Sequence, residues 1–240
     1  MDAALSAYGQ QETLLGATVI TGASQGIGRE LALRFASFGS PLALTYSTNL
    51  AMVEATAREC RERGSPLVSV LQLDLKNEYS ISNAGFQIAN QFDSISTFVN
   101  NAGIGIAKRF AQQTATEIRE QIQVNLEGLM LWTQALLPHV RYSVINLGSV
   151  AAKFGAGNSV VYAASKFGVR GFTQALAIEY PHLYILCANP DRTATRMNQY
   201  AGRPAVEVAE VIFNATMSRY SIPSGGDIDV AELLKSAPHS

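Results

Sequence analysis

Short apolar runs alternate with longer amphipathic segments along most of the chain. The runs are rich in β-branched residues, which favours buried strands of a parallel sheet. The segments between them repeat apolar residues every three or four positions, which predicts helices with one buried face. The predicted strands are 17–20, 41–46, 67–73, 95–99, 142–147, 183–188 and a short last one within 226–230. The predicted helices are 27–38, 51–63, 80–91, 116–137, 160–180 and 205–217.

This alternation predicts an α/β fold with a single doubly wound parallel sheet and helices on both faces. No Gly/Ser-rich or Pro-rich linker and no repeat interrupts it, so residues 16–240 are expected to form one domain. Residues 1–15 form a polar lead-in that we expect to be partly disordered. Ligands of such sheets bind beyond the carboxyl ends of the strands, at the topological switch point.

Composition narrows the classes of partner. The chain has 240 residues, 48% of them hydrophobic and 15% charged, which suits a well-buried core. A formal net charge of −1 gives no electrostatic basis for binding nucleic acid or an anionic membrane. Cys60 and Cys187 form no metal-binding or disulfide pattern, and no signal peptide or membrane span is evident. We therefore expect a cytoplasmic protein without a metal site.

A glycine-rich turn lies between the first strand and the first helix, at Gly22, Gly26 and Gly28. Glycine allows a tight turn and a close approach of the backbone to a pyrophosphate, and the helix N-terminus behind it attracts phosphate. The spacing is G-x-x-x-G-x-G, which differs from the G-x-G-x-x-G fingerprint. The turn indicates nucleotide binding, with a packing role as the alternative.

The end of the second strand bears on the choice of dinucleotide. NAD-binding domains usually have an acidic residue about 20 positions after the turn, where it binds the ribose. Here the run Thr45–Asn49 contains none, and its hydroxyl and amide groups can donate to a 2′-phosphate. The run favours NADP, with NAD as the alternative. Arg29 is the nearest candidate cation, or else an ordinary solvated helix residue.

Tyr162 and Lys166 are four residues apart in a predicted helix, so both side chains lie on one face. A cation beside a phenol favours the phenolate and lowers its pKa from about 10 toward neutral pH. The pair therefore indicates acid–base chemistry, although Y-x-x-x-K also occurs on ordinary helix surfaces.

Three further runs accompany these motifs in order: 99–103 (VNNAG), 124–126 (VNL) and 147–149 (LGS), the last placing Ser149 thirteen positions before Tyr162. With them, residues 16–230 resemble the short-chain dehydrogenase/reductase family. The resemblance implies a Rossmann fold, a homodimer or homotetramer, and NADP-dependent hydride transfer between a small-molecule carbonyl and a secondary alcohol.

The resemblance also implies roles for individual residues. Tyr162 would be the general acid/base and Lys166 would lower its pKa and bind the nicotinamide ribose. Ser149 would orient the carbonyl, and Asn125 would hold a water that links Lys166 to solvent. The plainer alternatives are a cap for Ser149 and a helix-bending residue for Asn125. The implied cofactor-binding residues are Gly22, Ser24, Gln25, Gly26, Ile27, Gly28, Tyr46, Ser47, Thr48, Asp74, Leu75, Asn101, Ala102, Gly103, Pro190 and Thr195. Asp74 would contact the adenine, or else cap the next helix.

The chain departs from the family pattern after the sixth predicted strand. Thr195 keeps its expected place, but Asp191 replaces a glycine. The run 189–195 (NPDRTAT) resembles a branch that makes polyol phosphates, such as ribulose-5-phosphate reductases. Arg192 or Arg196 could pair with a substrate phosphate, and Asn158 is a further substrate-binding candidate. The alternative is an ion pair that holds the loop.

Two other functions remain open at this level. Some members of the family use the nicotinamide only transiently, as in epimerisation. A non-catalytic, NADP-binding regulatory protein is the other alternative, which the set Asn125, Ser149, Tyr162 and Lys166 disfavours.

Overall fold

Seven parallel strands form the centre of the computed structural model, which describes residues 16–236. The strands are β1 (Ala17–Ile20), β2 (Leu42–Tyr46), β3 (Val68–Gln72), β4 (Ile95–Asn100), β5 (Val140–Leu147), β6 (Tyr184–Asn189) and β7 (Asp227–Asp229). Their order in the sheet is β3-β2-β1-β4-β5-β6-β7, so the chain reverses its direction of winding between β1 and β4. The predicted doubly wound parallel sheet is confirmed, and the expected lead-in 1–15 lies outside the described residues.

Helices cover both faces of this sheet. They are α1 (Gly26–Ser37), α2 (Leu50–Glu62), α3 (Glu78–Gln91), α4 (Ala115–Ile122), α5 (Gly128–Leu136), α6 (Ala151–Phe154), α7 (Val160–Glu179), α8 (Ala205–Thr216) and α9 (Val230–Ser236). The sequence pattern missed α6 and α9 because each is too short to show an amphipathic repeat. Within residues 16–236, no helix has the length and apolar character needed to cross a bilayer.

Two apolar cores fill the spaces between helices and sheet. On one face α1, α2 and α8 pack together, and the rings of Phe35 and Phe213 meet edge to face with centroids 5.0 Å apart. On the other face α3, α5 and α7 pack against the strands around Trp132 and Phe98. The central strands are buried on both sides, which explains why they are continuous apolar runs.

The predicted single helix over 116–137 is wrong in its middle. A π-helical turn, Gln123–Glu127, separates α4 from α5, and the N–H of Gly128 bonds to the carbonyl of Gln123, five residues earlier. The buried Asn125 lies in this turn, and its amide bonds to both backbone groups of Ile104 at 2.8 Å. A repeat of apolar positions cannot show a turn that surrounds one buried amide. Such turns are frequent at functional sites.

The first turn of α1 packs directly on the loop that follows β4. A Cβ atom on Gly28 would lie 2.4 Å from Nδ2 of Asn101 and 2.5 Å from the carbonyl oxygen of Gly22. Asn101 cannot move away easily, because its amide donates to the carbonyl of Thr21 at 2.8 Å. Gly28 therefore allows the close approach of helix and loop.

We expect Gly28→Ala to lower the free energy of unfolding by about 1–3 kcal/mol, because the added methyl group forces the loop away from the helix. Gly171→Ala is the matched control, since a Cβ at that position in α7 has no neighbour within 4 Å. It should raise the free energy of unfolding by about 0.5–1 kcal/mol. Urea denaturation measures both, and equal effects would contradict the packing role of Gly28.

Candidate active site

A cleft of about 780 Å³ runs along the carboxyl ends of strands β1 to β6, where the switch point predicts a ligand. The predicted residues that line it are Gly22, Ser24, Gln25, Gly26, Ile27, Tyr46, Ser47, Thr48, Asp74, Leu75, Asn101, Ala102, Gly103, Ser149, Tyr162, Lys166, Pro190, Arg192 and Thr195. Gly28, Asn125 and Asn158 are not part of this lining. The structure therefore brings most of the predicted set together in one cleft.

Helix α7 carries Tyr162 and Lys166 one turn apart, and both side chains reach the cleft. The Nζ atom of Lys166 lies 5.8 Å from the centroid of the Tyr162 ring. The Ser149 hydroxyl, just after β5, lies near the Tyr162 phenol and lowers its pKa. It also accepts from the N–H of Ala151 at 3.1 Å, which is a turn contact, whereas the N-cap of α6 is Val150. Tyr162, Ser149 and Lys166 thus meet at the end of β5.

Lys166 is buried, with 4% of its surface exposed. Its ammonium group donates to the carbonyl oxygen of Leu147, the last residue of β5, at 2.5 Å. Burial disfavours the charged form and lowers the pKa of Lys166 from 10.5 to about 8. Lys166 can therefore gain and lose a proton near neutral pH.

The pKa of Tyr162 differs from the expectation. Burial raises it, and the neighbouring Ser149 hydroxyl, rather than Lys166, lowers it. The ammonium of Lys166 is directed at the Leu147 carbonyl, and its own depressed pKa weakens its charge. In this structure the phenol of Tyr162 is protonated at neutral pH.

Asn125 lies behind the cleft rather than in it. Its Nδ2 donates to the carbonyl of Ile104 at 2.8 Å and to Oγ of Ser165 at 3.0 Å, and its Oδ1 accepts from the N–H of Ile104. Ser165 in turn donates to the carbonyl of Tyr162 at 2.7 Å. Both amide hydrogens are used, so a water that links Asn125 to Lys166 would donate to Oδ1 or to the backbone carbonyl of Asn125.

The glycine-rich turn has the form that a phosphate needs. Gly22 and Gly26 have φ angles of 67° and 59°, which favour glycine, and a Cβ on Gly26 would lie 2.9 Å from the methyl group of Thr195. Gln25, at the N-cap of α1, makes no side-chain capping bond. The first N–H groups of α1 therefore point toward the cleft without a side-chain cap, and these residues fit a dinucleotide pyrophosphate.

Two strand ends form the far part of the cleft. Ser47 and Thr48 follow β2 and are exposed, while Asp74 and Leu75 follow β3. The helix-cap alternative for Asp74 is not observed. Its carboxylate accepts from the N–H of Lys76 at 3.0 Å, whereas Asn77 caps α3.

Arg29 is not positioned as the expected cation. Its guanidinium pairs with Glu30 at 2.5 Å and with Glu59, and it does not line the cleft. Lys76, which the sequence reading did not select, lines the cleft beside Asp74 and forms a 3.4 Å ion pair with Glu120. No local motif distinguishes such a lysine from a solvated one.

The loop after β6 is held by an ion pair whose arginine, Arg203, was not predicted from the sequence. Asp191 accepts from Nε of Arg203 at 2.9 Å and from Nη2 at 2.8 Å, twelve residues along the chain. Arg192 and Arg196 line the cleft, and the structure records no ion pair for either guanidinium within residues 16–236. An ion pair thus holds the loop, but its arginine is Arg203 rather than the expected Arg192 or Arg196, and Arg192 lines the cleft.

Asn158 lies apart from the other candidates. It is exposed, has a φ of 58°, and its carbonyl accepts from the N–H of Lys108 at 2.7 Å. These contacts describe a turn between α6 and α7, and its predicted contact with substrate stays a prediction.

Comparisons with known proteins agree with this geometry. A family model described as short chain dehydrogenase matches residues 17–205. The 3-oxoacyl-(acyl-carrier-protein) reductase FabG of Aquifex aeolicus is 34% identical, over 68% of this chain and 66% of that protein. Sulfoacetaldehyde reductase 2 of Chromohalobacter salexigens is 35% identical, over 66% of this chain and 64% of that protein. The chain therefore matches just under two thirds of the length of these relatives.

A solved structure extends the likeness to the whole fold. The crystal structure of a short chain dehydrogenase from Burkholderia cenocepacia J2315 in complex with NADP has a TM-score of 0.83 and 25% identity. The match covers 90% of this chain and 96% of that one.

We expect one lysine resonance to titrate near pH 8 in NMR spectra of lysine-labelled protein, and to be absent from Lys166→Met. Because the folded pKa is below the unfolded one, the unfolded chain binds an extra proton between about pH 8 and 10.5. The free energy of unfolding of the native protein should therefore rise with pH in this window, relative to Lys166→Met. A flat difference, with no lysine titrating below pH 10, would contradict the buried, depressed state.

Proposed function

Because this chain belongs to the short chain dehydrogenase family, we propose that it is an NADP-dependent oxidoreductase that reduces a carbonyl to a secondary alcohol, or catalyses the reverse. The convergence of Ser149, Tyr162 and Lys166 in the cleft carries this proposal. The glycine-rich turn and the uncapped start of α1 lie at the same cleft and fit the phosphates of a dinucleotide.

The nicotinamide, when bound, supplies or accepts the hydride at the substrate carbon. Tyr162 donates its proton to the carbonyl oxygen during reduction and takes the proton of the alcohol during oxidation. Since burial raises its pKa, Tyr162 carries at neutral pH the proton that reduction requires. Ser149 orients the carbonyl through the same hydroxyl that contacts Tyr162.

Lys166 is suited to returning a proton to Tyr162. A pKa of about 8 leaves both of its protonation states populated near neutral pH, which matches what a proton relay requires. Only one of its three N–H groups is needed for the Leu147 carbonyl, so others remain for a cofactor ribose or a water.

The end of β2 supports a preference for NADP. Ser47 and Thr48 present hydroxyl groups to the cleft. The run 45–49 contains no acidic residue, and an acidic residue there would repel a 2′-phosphate. Lys76 adds a cation to the lining of this end. The similar Burkholderia structure contains NADP. NAD is the alternative cofactor.

A phosphorylated polyol or sugar is our proposal for the substrate. Arg192 lines the cleft while Asp191, its neighbour, is bound by Arg203. An arginine that is not paired within the described chain can bind a phosphate through two parallel hydrogen bonds. One relative is named for sulfoacetaldehyde, which also carries an anionic group.

We expect the native protein to oxidise NADPH in the presence of a carbonyl substrate, and Tyr162→Phe to lose turnover by about 100-fold or more, because the phenol is the proton donor. Calorimetry should show NADPH binding within about twofold of wild type in this variant, and tighter binding of NADPH than of NADH by the native protein. Full activity of Tyr162→Phe would overturn its role. Conversion of substrate without net NADPH consumption would favour the epimerase, and binding of neither nucleotide would refute the proposal.

We expect Arg192→Ala to raise KM for a phosphorylated carbonyl substrate by about 10- to 100-fold, the value of one charge-assisted contact. The KM for a neutral ketone should change by less than about twofold. Arg58→Ala, which removes an exposed charge from α2, is the control for net charge. Arg196→Ala tests the second candidate separately. Equal effects of Arg192→Ala on both substrates would refute the phosphate contact.

A further inference from the structure

The catalytic Ser149 is attached to a chain of polar side chains that runs away from the cleft. Its backbone N–H donates to Oδ1 of Asn189, the last residue of β6, at 3.2 Å. The Nδ2 atom of Asn189 donates to Oδ1 of Asp227, the first residue of β7, at 2.9 Å. Asp227 accepts from Nε of Arg170 at 3.0 and 2.9 Å and pairs with its Nη2 at 2.8 Å. None of these three side chains is in the lining of the cleft.

We propose that Asn189, oriented by Asp227 and Arg170, is a positioning residue for Ser149. This proposal rests on the proposed function only for its kinetic readout. Asn189 is fully buried, so its two polar atoms need partners. Asp227 is held by Arg170 and can only accept hydrogen bonds, which directs the amide nitrogen of Asn189 to it. The amide oxygen is thereby left to accept from the N–H of Ser149 at 3.2 Å, with the Cys187 thiol as a weaker donor at 3.5 Å.

The backbone beside Ser149 is adapted to this contact. A Cβ atom on Gly148 would lie 2.3 Å from Oδ1 of Asn189 and 2.7 Å from Sγ of Cys187. Any side chain at position 148 would therefore displace the amide from Ser149. The N–H of Val150 also bonds to the carbonyl of Pro190 at 3.1 Å. Asn189, the last residue of β6, and Pro190, directly after it, therefore hold this segment at two successive points.

Helix α7 holds the same segment from the other side. The Tyr162 phenol lies near the Ser149 hydroxyl, and Lys166 donates to the Leu147 carbonyl. Arg170 lies one further turn along the helix. These three positions, spaced four residues apart, share one face of the helix. Arg170 reaches the Ser149 backbone through Asp227 and Asn189. The spacing between the phenol and the Ser149 hydroxyl is thus set by contacts on both sides of residues 147–149.

An effect on catalysis follows from geometry. A donor that is displaced by about 1 Å can cost about 100-fold in rate, although binding elsewhere in the cleft is unchanged. Loss of the Asn189 amide leaves a buried N–H on Ser149 without its acceptor. The backbone of Ser149 is then free to shift relative to Tyr162, while the glycine-rich turn stays in place.

The test compares Asn189→Ala, Asn189→Asp and the double variant Asn189→Asp/Asp227→Asn. We expect Asn189→Ala to lower kcat by about tenfold or more with the Kd for NADPH within about twofold of wild type. Asn189→Asp places two carboxylates together and should be the more damaging single change. The double variant exchanges the acid and the amide and should restore kcat to within about threefold of wild type, because each donor regains an acceptor.

Asp229→Asn is the matched control. Asp229 is on the same short strand and pairs with Lys153 at 2.7 Å, but it has no recorded contact with Asn189 or Ser149 in the described part of the chain. It should lower stability without changing kcat. An equal loss of kcat in Asp229→Asn would show a general effect of the sheet edge and would overturn the proposal, as would wild-type kcat in Asn189→Ala.

Amide hydrogen exchange provides a readout that does not need turnover. The N–H of Ser149 should exchange at least about tenfold faster in Asn189→Ala than in wild type, while that of Ile145, within β5, should not change. Unchanged exchange at Ser149 would overturn the positioning role even if no substrate is found. Absence of turnover in wild type, with faster exchange in the variant, would refute the proposed function alone. If Asn189→Ala does not fold, Asp227→Asn, at the strand end, takes its place with the same expected direction.

Discussion

A buried ammonium group, that of Lys166, joins helix α7 to the end of strand β5, and the candidate active site depends on this contact. The group donates to the Leu147 carbonyl and is nearly inaccessible to water. Burying a cation with one carbonyl partner is unfavourable, so its pKa falls to about 8. The same helix face carries Tyr162 one turn earlier, which places the phenol beside Ser149. The packing of α7 against the end of β5 therefore accounts both for the position of the Tyr162 phenol and for the lowered pKa of Lys166.

The pKa of Tyr162 is not lowered by its neighbour Lys166, contrary to the expectation for a Tyr–Lys pair. Proximity of a cation was expected to stabilise the phenolate, but desolvation acts on both groups and disfavours both charges. The phenol stays protonated and the ammonium becomes a weaker cation. Under the proposed function, Tyr162 would donate a proton to the carbonyl oxygen and Lys166 would replace it. The hydroxyl of Ser149 is the one neighbour that lowers the pKa of Tyr162.

The doubly wound parallel sheet and most of the cleft could be predicted from sequence because they depend on local patterns. Alternating apolar runs define the strands, and the glycine turn, Tyr162 and Lys166 follow them at short distances along the chain. The missed features depend on partners far apart in sequence. In the π-helical turn, Asn125 hydrogen-bonds to the backbone of Ile104. Arg29 pairs with Glu59 instead of lining the cleft, and Asp191 pairs with Arg203. No window of neighbouring residues contains these pairs.

The loop after β6 shows how such a distant partner changes the meaning of a substitution. A carboxylate in place of glycine at position 191 suggests a disturbed backbone and an ion pair with the adjacent Arg192. In the fold, Arg203 takes the carboxylate through two of its nitrogens, and its N–H bonds to the carbonyl of Arg192. Arg203 therefore holds the loop, and Arg192, which lines the cleft, is not paired with its acidic neighbour. Under the proposed function, Asp191 would act on the path of the loop and would not neutralise the charge that a substrate meets.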